Sequence, residues 1–464
     1  MMTRVHFGTG SAKVSLDMNA HAPPVQYVST PRGDIAYRTL GEGPRDLLLI
    51  NPMSRCIENL WDYPANAALL DRLARFCRLT VFDRRGCGIS DPLPANLPPT
   101  WEDWLDDVLA VLDHLGIGDA ALLAERDAAA AALLFASSHP ERVRALLLCN
   151  TSACFRVAPG YPYGENHERG ERLSRQWEET WGTANMVLAT RPTLANDPAY
   201  VEWVTRMQRV AYSPRRAAAE FRYIINFDAR AVLSSIRAPT LILHRREFAV
   251  IPLAHAYYLA EHIAGSRLEI LPGGDIDVLL PGDEKPLALV ESFLAGAPAP
   301  DAGERALTTV LHLRVANPRQ MAANLGDARW REVKSQLQMA VCAELSRFQG
   351  RAVEVDGNGC LASFEGPVRA LRFAVSIRQA LRDQLRLEVR VGVHIGECER
   401  SGETLAGAAV DVGAGVLQAA QPGEVLATAA VSDLVAGSGV DLRSIGGHQL
   451  DGVPGEWELY ALES

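Results

Sequence analysis

Short apolar runs alternate with amphipathic helical segments from Val25 to about Gly296. Six of the runs have the continuous apolar pattern of strands that are buried on both faces of a parallel sheet. Because strands that alternate with helices form parallel sheets, the pattern predicts a doubly wound α/β architecture. The predicted strands are residues 46–51, 78–83, 120–125, 145–150, 239–245 and 267–274.

Two helical features modify this alternation. Thr100 directly precedes a helical pattern and Asp103 follows three residues later, which predicts a capped helix between the second and third strands. Residues 155–235 are rich in Trp, Arg and Glu and interrupt the alternation. We therefore predict that they form a helical lid over the carboxyl edge of the sheet.

A second pattern begins after a segment rich in Ala and Pro. It indicates an α+β domain with a mostly antiparallel sheet. Its predicted elements are a strand at 307–315, helices at 327–348 and 367–385, strands within 351–366 and a strand at 387–397. The predicted organisation is a flexible tail at 1–24, an α/β domain at 25–296, a linker at 297–306 and the α+β domain at 307–464.

Composition narrows the class of protein. Apolar residues make up 48% of the 464 residues and charged residues 22%, which is a globular balance. The net charge of −10 argues against a nucleic-acid partner, and no apolar run is long enough to span a membrane. The eight cysteines form no C-x-x-C pair, and the N-terminus lacks the apolar centre of a secretion signal. We therefore expect a cytoplasmic protein with reduced thiols.

Four segments of the first domain carry a resemblance to a known family. They are "DRRGCGISD" (83–91), "SSHPERVRALLL" (137–148), "IRAPTLILHR" (236–245) and "LPGGD" (271–275). With these segments the chain resembles an α/β-hydrolase, and more narrowly the hydrolase-like half of bacterial proteins that are fused to a class III nucleotide cyclase domain. The resemblance implies an α/β-hydrolase fold with a helical lid.

The same resemblance locates the positions of a catalytic triad, and none carries a triad residue. Arg126 stands at the nucleophile, Phe248 at the acid and Ile276 at the histidine. Pro52 replaces a glycine of the oxyanion loop and has no N–H, so that Met53 is the remaining amide donor. A guanidinium cannot attack a carbonyl carbon, and serine-hydrolase chemistry is therefore not expected.

What remains in this interpretation is a lidded pocket with a cation at its floor. Arg126 either forms a structural ion pair with Glu125, Asp127 or a lid carboxylate, or holds the acid group of a small ligand near a helix N-terminus. The candidate ligand-binding residues are Met53, Ser54, Arg126, Asp127, Phe248 and Ile276. Chemistry at Cys56, Cys87 or Cys154 is a further alternative.

The second domain resembles the class III adenylate/guanylate cyclase catalytic domain, which has a ferredoxin-like α+β fold. "NLGDARWRE" (324–332), "VRVGVHIGECE" (389–399) and "PGEVLAT" (422–428) carry this resemblance. Arg314 and Asn358 stand where the family has its two metal-binding aspartates, so neither a metal nor another cofactor is expected. The other replaced positions are Glu354 and Thr404 for base recognition, and Asp411 and Gly415 for the transition state.

These observations predict a regulatory protein in which both enzyme folds have lost their chemistry. The hydrolase-like domain would bind a small, possibly acidic molecule, and the cyclase-like domain would form a homodimer or contact a partner. One alternative is an enzyme with a different chemistry in the lidded pocket. Another is a subunit that completes an active cyclase encoded elsewhere.

Overall fold

The computed structural model describes residues 22–93, 100–297, 305–401 and 404–463. We call residues 22–297 the N-terminal unit and residues 305–463 the C-terminal unit. Of the predicted tail (1–24) and linker (297–306), residues 1–21 and 298–304 lie outside the described residues, and Arg305 and Ala306 belong to the first strand of the C-terminal unit. No helix within the described ranges is both long and apolar enough to cross a bilayer.

The N-terminal unit is built on a sheet of eight strands in the order β1-β2-β4-β3-β5-β6-β7-β8. The strands are β1 (Gln26–Thr30), β2 (Gly33–Leu40), β3 (Asp46–Ile50), β4 (Arg78–Phe82), β5 (Ala120–Glu125), β6 (Val143–Cys149), β7 (Thr240–Arg245) and β8 (Arg267–Leu271). The six predicted strands are confirmed as β3 to β8, and all neighbouring pairs among them are parallel. Two findings differ from the prediction. The antiparallel strands β1 and β2 were not predicted, and β8 is a half-exposed edge strand rather than a buried one.

Helices cover both faces of this sheet. They are α1 (Pro64–Phe76), α2 (Trp101–His114), α3 (Ala128–Ser138), α4 (His167–Thr180), α5 (Ala184–Thr190), α6 (Pro198–Ala211), α7 (Pro214–Ile224), α8 (Ala254–His262) and α9 (Glu284–Gly296), with short 3-10 helices at Ile57–Asn59, Pro140–Arg142 and Arg230–Ser235. The predicted cap of α2 is confirmed, since the Asp103 N–H donates to the Thr100 hydroxyl and the Asp103 carboxylate accepts the Thr100 N–H. Helices α4 to α7 form the predicted helical insertion.

The C-terminal unit has a second sheet, in the order β10-β11-β9-β12-β14-β16-β15, with β13 paired to β12. Its elements are β9 (Arg305–Val315), α10 (Pro318–Leu325), α11 (Asp327–Arg347), β10 (Arg351–Asp356), β11 (Gly359–Phe364), α12 (Pro367–Leu385), β12 (Val389–Ser401), β13 (Thr404–Ala406), α13 (Ala408–Ala419), β14 (Val425–Thr428), α14 (Ala429–Val435), β15 (Leu442–Gln449) and β16 (Glu456–Leu462). All described pairs are antiparallel except β12 with β14, which confirms the predicted sheet type.

The two units share one hydrophobic core. Leu311 and Leu313 of β9 belong to the same buried cluster as apolar residues of α11 and α12. The cluster also includes apolar residues of α2 and α3, and we call the face of the N-terminal sheet that these two helices cover the α2–α3 face. Val310, which points to the opposite face of β9, packs against Ala409 of α13 instead. The α2–α3 face is therefore covered by the C-terminal unit.

Candidate functional site

Strand β5, a tight turn and helix α3 place Arg126 at the carboxyl edge of the sheet. Arg126 has a backbone φ of +53°, in the left-handed region that side chains other than glycine seldom occupy. Its N–H donates to the Cys149 carbonyl, and its own carbonyl accepts the Thr151 hydroxyl. Ala124 and Ala128, on either side, are completely buried. The predicted strand at 120–125 is thus followed by a tight turn and by α3.

The Arg126 guanidinium is paired, but not with the predicted partners. Its Nη1 lies 2.7 Å from Oδ1 of Asp277, and its Nη2 donates to the Ser54 hydroxyl at 2.9 Å. The prediction of Glu125, Asp127 or a lid carboxylate is wrong, because Asp277 lies in the loop after β8. Glu125 and Asp127 face other cations, namely Arg55 at 2.8 Å and Arg84 at 3.0 Å.

Asp277 is the centre of a buried charge cluster. Besides Arg126, it accepts bonds from Arg55 at 3.1 Å and from Arg191 at 2.8 Å. Burial alone would raise the pKa of the Asp277 carboxyl, but the three guanidiniums hold it well below its ordinary value. With Glu125 on Arg55, three cations face two carboxylates at this floor. The cluster is therefore locally positive.

The Met53 N–H, which the resemblance makes a candidate oxyanion donor, already has a partner. The Met53 N–H donates to Oδ2 of Asp127 at 3.0 Å, and the same oxygen accepts Nη2 of Arg84. Arg84 also lies over the Trp104 ring, 3.8 Å from its centroid, which holds its side chain in place. The Met53 amide was predicted to remain as a donor for substrate, and this prediction is corrected. Asp127 thus engages both the Met53 N–H and the Arg84 guanidinium.

A cavity of about 60 Å³ lies above this floor. All six predicted ligand-site residues line it: Met53, Ser54, Arg126, Asp127, Phe248 and Ile276. Phe248 and Ile276 are buried and supply no proton-transfer group. The remaining wall is mainly aromatic and aliphatic, and it consists of Trp101, Ala130, Thr151, Ser152, Phe155, Trp177, Phe221, Ile224, Phe227, Val250 and Ile251. The cavity is thus apolar with a polar end at Arg126.

The helical insertion is fastened to the floor loop of this cavity. Arg191, which follows α5, reaches Asp277, and the Ile276 N–H donates to the Thr190 carbonyl at 2.8 Å. The Thr193 N–H donates to Asp275 at 3.0 Å. These bonds hold the insertion against the loop after β8, which carries Asp275, Ile276 and Asp277.

Sequence reasoning missed Asp277, Arg55 and Arg191. Asp277 had a signal, since it directly follows the expected histidine position in "LPGGDID". Arg55 and Arg191 had no such signal, because no neighbouring sequence motif distinguishes them from other arginines of a loop or a lid. Asn150 was also missed; its amide donates to the Asp275 and Ile276 carbonyls and so fixes the same loop.

The cysteine alternative is not favoured by the structure. Burial, the largest cause, raises the pKa of Cys56 and Cys87, and it raises the pKa of Cys154 to about 12. The reactive thiolate is therefore disfavoured at neutral pH at each position. Within the described ranges, no group of three or more His, Cys, Asp or Glu side chains is arranged to hold a metal ion.

The six positions of the C-terminal unit that the cyclase resemblance singles out lie together only in part. Arg314 lies opposite Gly359 in the β9–β11 pair, next to Asn358, and its Nη1 is 2.6 Å from Asp356. Burial opposes ionisation of Asp356, but the Asn358 N–H and the Arg314 guanidinium lower its pKa. The structure places the other four as follows: Glu354 exposed on β10, Asp411 exposed on α13, Thr404 on β13 and Gly415 buried against Leu450.

Comparisons with known proteins agree with the fold of the N-terminal unit. Residues 57–280 match a family described as the alpha/beta hydrolase fold. Serine hydrolase BPHL of Mus musculus is 26% identical over 259 residues, which are 56% of this chain and 82% of that protein. The esterase EaEST from Exiguobacterium antarcticum matches 58% of this chain and 99% of its own at 22% identity and a TM-score of 0.50.

One solved structure of another kind also matches. The adenylyl cyclase CyaB from P. aeruginosa is matched over 34% of this chain and 95% of its own, at 17% identity and a TM-score of 0.32. The cyclase-like character of the C-terminal unit remains a prediction from the sequence.

Proposed function

Since this chain contains an α/β-hydrolase domain, we propose that the domain binds a small molecule and does not hydrolyse it. The observation that carries the proposal is Arg126, which stands on the tight turn after β5 and pairs with buried Asp277. A guanidinium locked in this way has no lone pair to offer an acyl carbon. The relatives are named hydrolases or esterases, and the proposal is that this chain keeps their fold for binding.

Two further contacts support the loss of hydrolysis. Hydrolysis through a tetrahedral intermediate needs a donor for the developing oxyanion, and the Met53 N–H already serves the Asp127 carboxylate. It also needs a general base, and Phe248 and Ile276 line the cavity at the positions of the acid and the histidine. In this proposal the chain lacks a nucleophile and a base at these positions, and the Met53 N–H is engaged by Asp127.

The lining of the cavity defines the proposed ligand class. An aromatic or aliphatic body fits the wall that includes Trp177, Phe221 and Phe248, and a carboxylate or carbonyl oxygen fits the end formed by Arg126 and Ser54. The excess of one cation in the Asp277 cluster favours an anionic head group. We therefore propose a small, mainly apolar carboxylic acid.

For the C-terminal unit we propose a non-catalytic role in dimerisation or partner contact. Catalysis by two metal ions needs carboxylates that attract divalent cations, whereas Arg314 brings a positive charge to that place and Asp356 is bound to it. The proposal for the whole chain is thus a regulator that binds a small acid in one unit and associates through the other.

Labelling with a fluorophosphonate, together with turnover of p-nitrophenyl butyrate, tests the loss of hydrolysis in the full chain. We expect no covalent adduct and no turnover above the buffer rate. Binding is tested by thermal shift with phenylacetate and its neutral analogue phenylacetamide. The acid should stabilise the wild type more than the amide does, and Arg126→Met should remove that difference.

Two results would overturn this proposal. Stoichiometric labelling, or turnover that disappears in the Arg126→Met variant, would show that the site is an enzyme. Equal stabilisation by acid and amide, unchanged in the Arg126→Met variant, would reject the acidic ligand class and the role of Arg126.

A further inference from the structure

The first turn of α2 touches the cavity and the C-terminal unit at the same time. Trp101 lines the cavity. Glu102, the next residue, is buried and bonds to α12 of the other unit. Because both residues belong to one capped helical turn, neither can move far without the other.

On the cavity side, Trp101 packs against rings of the helical insertion. Its ring centroid lies 4.3 Å from that of Phe227 and 4.7 Å from that of Tyr223, and the Tyr223 ring is stacked on it. Phe227 also lines the cavity. Both members of the Trp101–Phe227 pair are therefore part of the cavity wall.

On the other side, Glu102 caps α12. Its Oε1 accepts the Val368 N–H at 2.8 Å, and this N–H is one of the donors that a helix N-terminus leaves without a backbone partner. A carboxylate at this end of a helix also interacts favourably with the helix dipole. Arg369 of α12 bonds in turn to the Glu102 carbonyl and to Asp106. The contact is tight, because a Cβ at Gly366 would overlap with the Glu102 side chain.

We propose that the first turn of α2 couples occupancy of the cavity to the position of α12, so that the ligand regulates the C-terminal unit. This inference rests on the proposed ligand-binding function. A ligand changes the contact between the units to the extent that it binds better to one position of Trp101. By linkage, a change in the Glu102 contact alters the affinity of the cavity for the ligand by the same coupling free energy. The coupling therefore has to appear in both directions.

Other contacts between the units bypass the cavity. Arg237 pairs with Glu397 at 3.2 Å, and His139 lies 3.9 Å from Glu365. None of these four side chains lines the cavity. These two contacts therefore serve as controls. A specific route through α2 leaves them unchanged, whereas a general loosening of the contact between the units affects them as well.

Amide hydrogen exchange of the full chain tests the route from cavity to α12. Phe227→Leu removes the ring that packs on Trp101, and Phe221→Leu is its matched control. Phe221 is equally buried and lines the same cavity, but its ring stacks on Trp177. We expect Phe227→Leu to raise exchange at Val368 about fivefold, as for the loss of one hydrogen bond, and Phe221→Leu to leave it unchanged.

The reverse direction uses Glu102→Met, which keeps the bulk of the side chain and removes the acceptor for the Val368 N–H. We expect faster exchange in residues 221–227 at the cavity wall, whereas Arg237→Gln should affect only the surroundings of Glu397. Equal responses of the two phenylalanine variants at Val368, or an unchanged cavity wall in Glu102→Met, would overturn the coupling. No ligand is needed, so this outcome is independent of the labelling and turnover results.

Discussion

Arg126 combines a backbone conformation suited to glycine with a long charged side chain. At φ of +53° its Cβ crowds the following carbonyl, which costs about 1–2 kcal/mol for a residue other than glycine. The bonds to Asp277 and Ser54 offset this cost. Strain is thus kept at the turn after β5, and it is compensated there by an ion pair.

Comparison of Arg126→Gly with Arg126→Ala isolates the backbone strain, because both variants lose the same ion pair. We expect the glycine variant to be more stable than the alanine variant by about 1 kcal/mol in urea denaturation. Ala68→Gly, at an exposed position within α1, is the control and should lower stability by about 1 kcal/mol. A glycine variant less stable than the alanine variant would contradict the assigned turn.

Asp277 neutralises three guanidiniums, so its loss leaves buried cations without a partner. Asp277→Asn should lower the free energy of unfolding at pH 7 by about 3–5 kcal/mol. Asp283→Asn, which breaks a pair at a half-exposed carboxylate, should cost about 1 kcal/mol or less.

The pH dependence of this difference follows from the depressed pKa of Asp277. A carboxyl whose pKa is lower in the folded state stabilises the fold above its unfolded value of about 3.9. The stability is lost as pH falls further, towards the folded pKa. The gap between wild type and Asp277→Asn should therefore be constant from pH 7 to 5 and narrow below about pH 4. A gap that narrows already between pH 7 and 5 would refute the assignment.

At the scale of elements, most strands of the N-terminal sheet could be predicted from the sequence. Strands such as β5 and β6 are buried on both faces, and their continuous apolar runs stand out from the flanking polar residues. The cap of α2 was predictable because Thr100 and Asp103 act within one helical turn. β1 was not predicted because it is a short edge strand with a single buried residue, which leaves no apolar run in the sequence.

The contacts that shape the site were less predictable. Asp277 and Arg126 are 151 residues apart, and their pairing depends on where the loop after β8 crosses the carboxyl edge. Arg191 reaches the same carboxylate from the helical insertion, whose docking on the sheet leaves no local pattern. From the sequence, Arg126 could be placed on the turn after β5. The sequence could not indicate which charges balance Arg126.

At the scale of the whole molecule, the two units share buried apolar residues across their contact. Leu134 of α3, Leu307 of β9 and Leu434 of α14 belong to one cluster. Removing apolar surface from water is the main stabilising contribution to folding. If one unit unfolded alone, the unit that stayed folded would expose its part of this cluster to water. The two units should therefore unfold together.

Differential scanning calorimetry of the full chain tests this cooperativity. We expect a single transition whose calorimetric and van't Hoff enthalpies agree. Gly366→Ala should split or broaden it, because the added Cβ overlaps with Glu102 across the contact. The backbone of Gly366 is extended, at φ of −159°, so the substitution adds no conformational strain. Gly118→Ala adds a methyl group with nothing within 4 Å and should leave the transition unchanged. Two separate transitions in the wild type would show that the shared core does not couple the units, and then the α2 route would have little to act on.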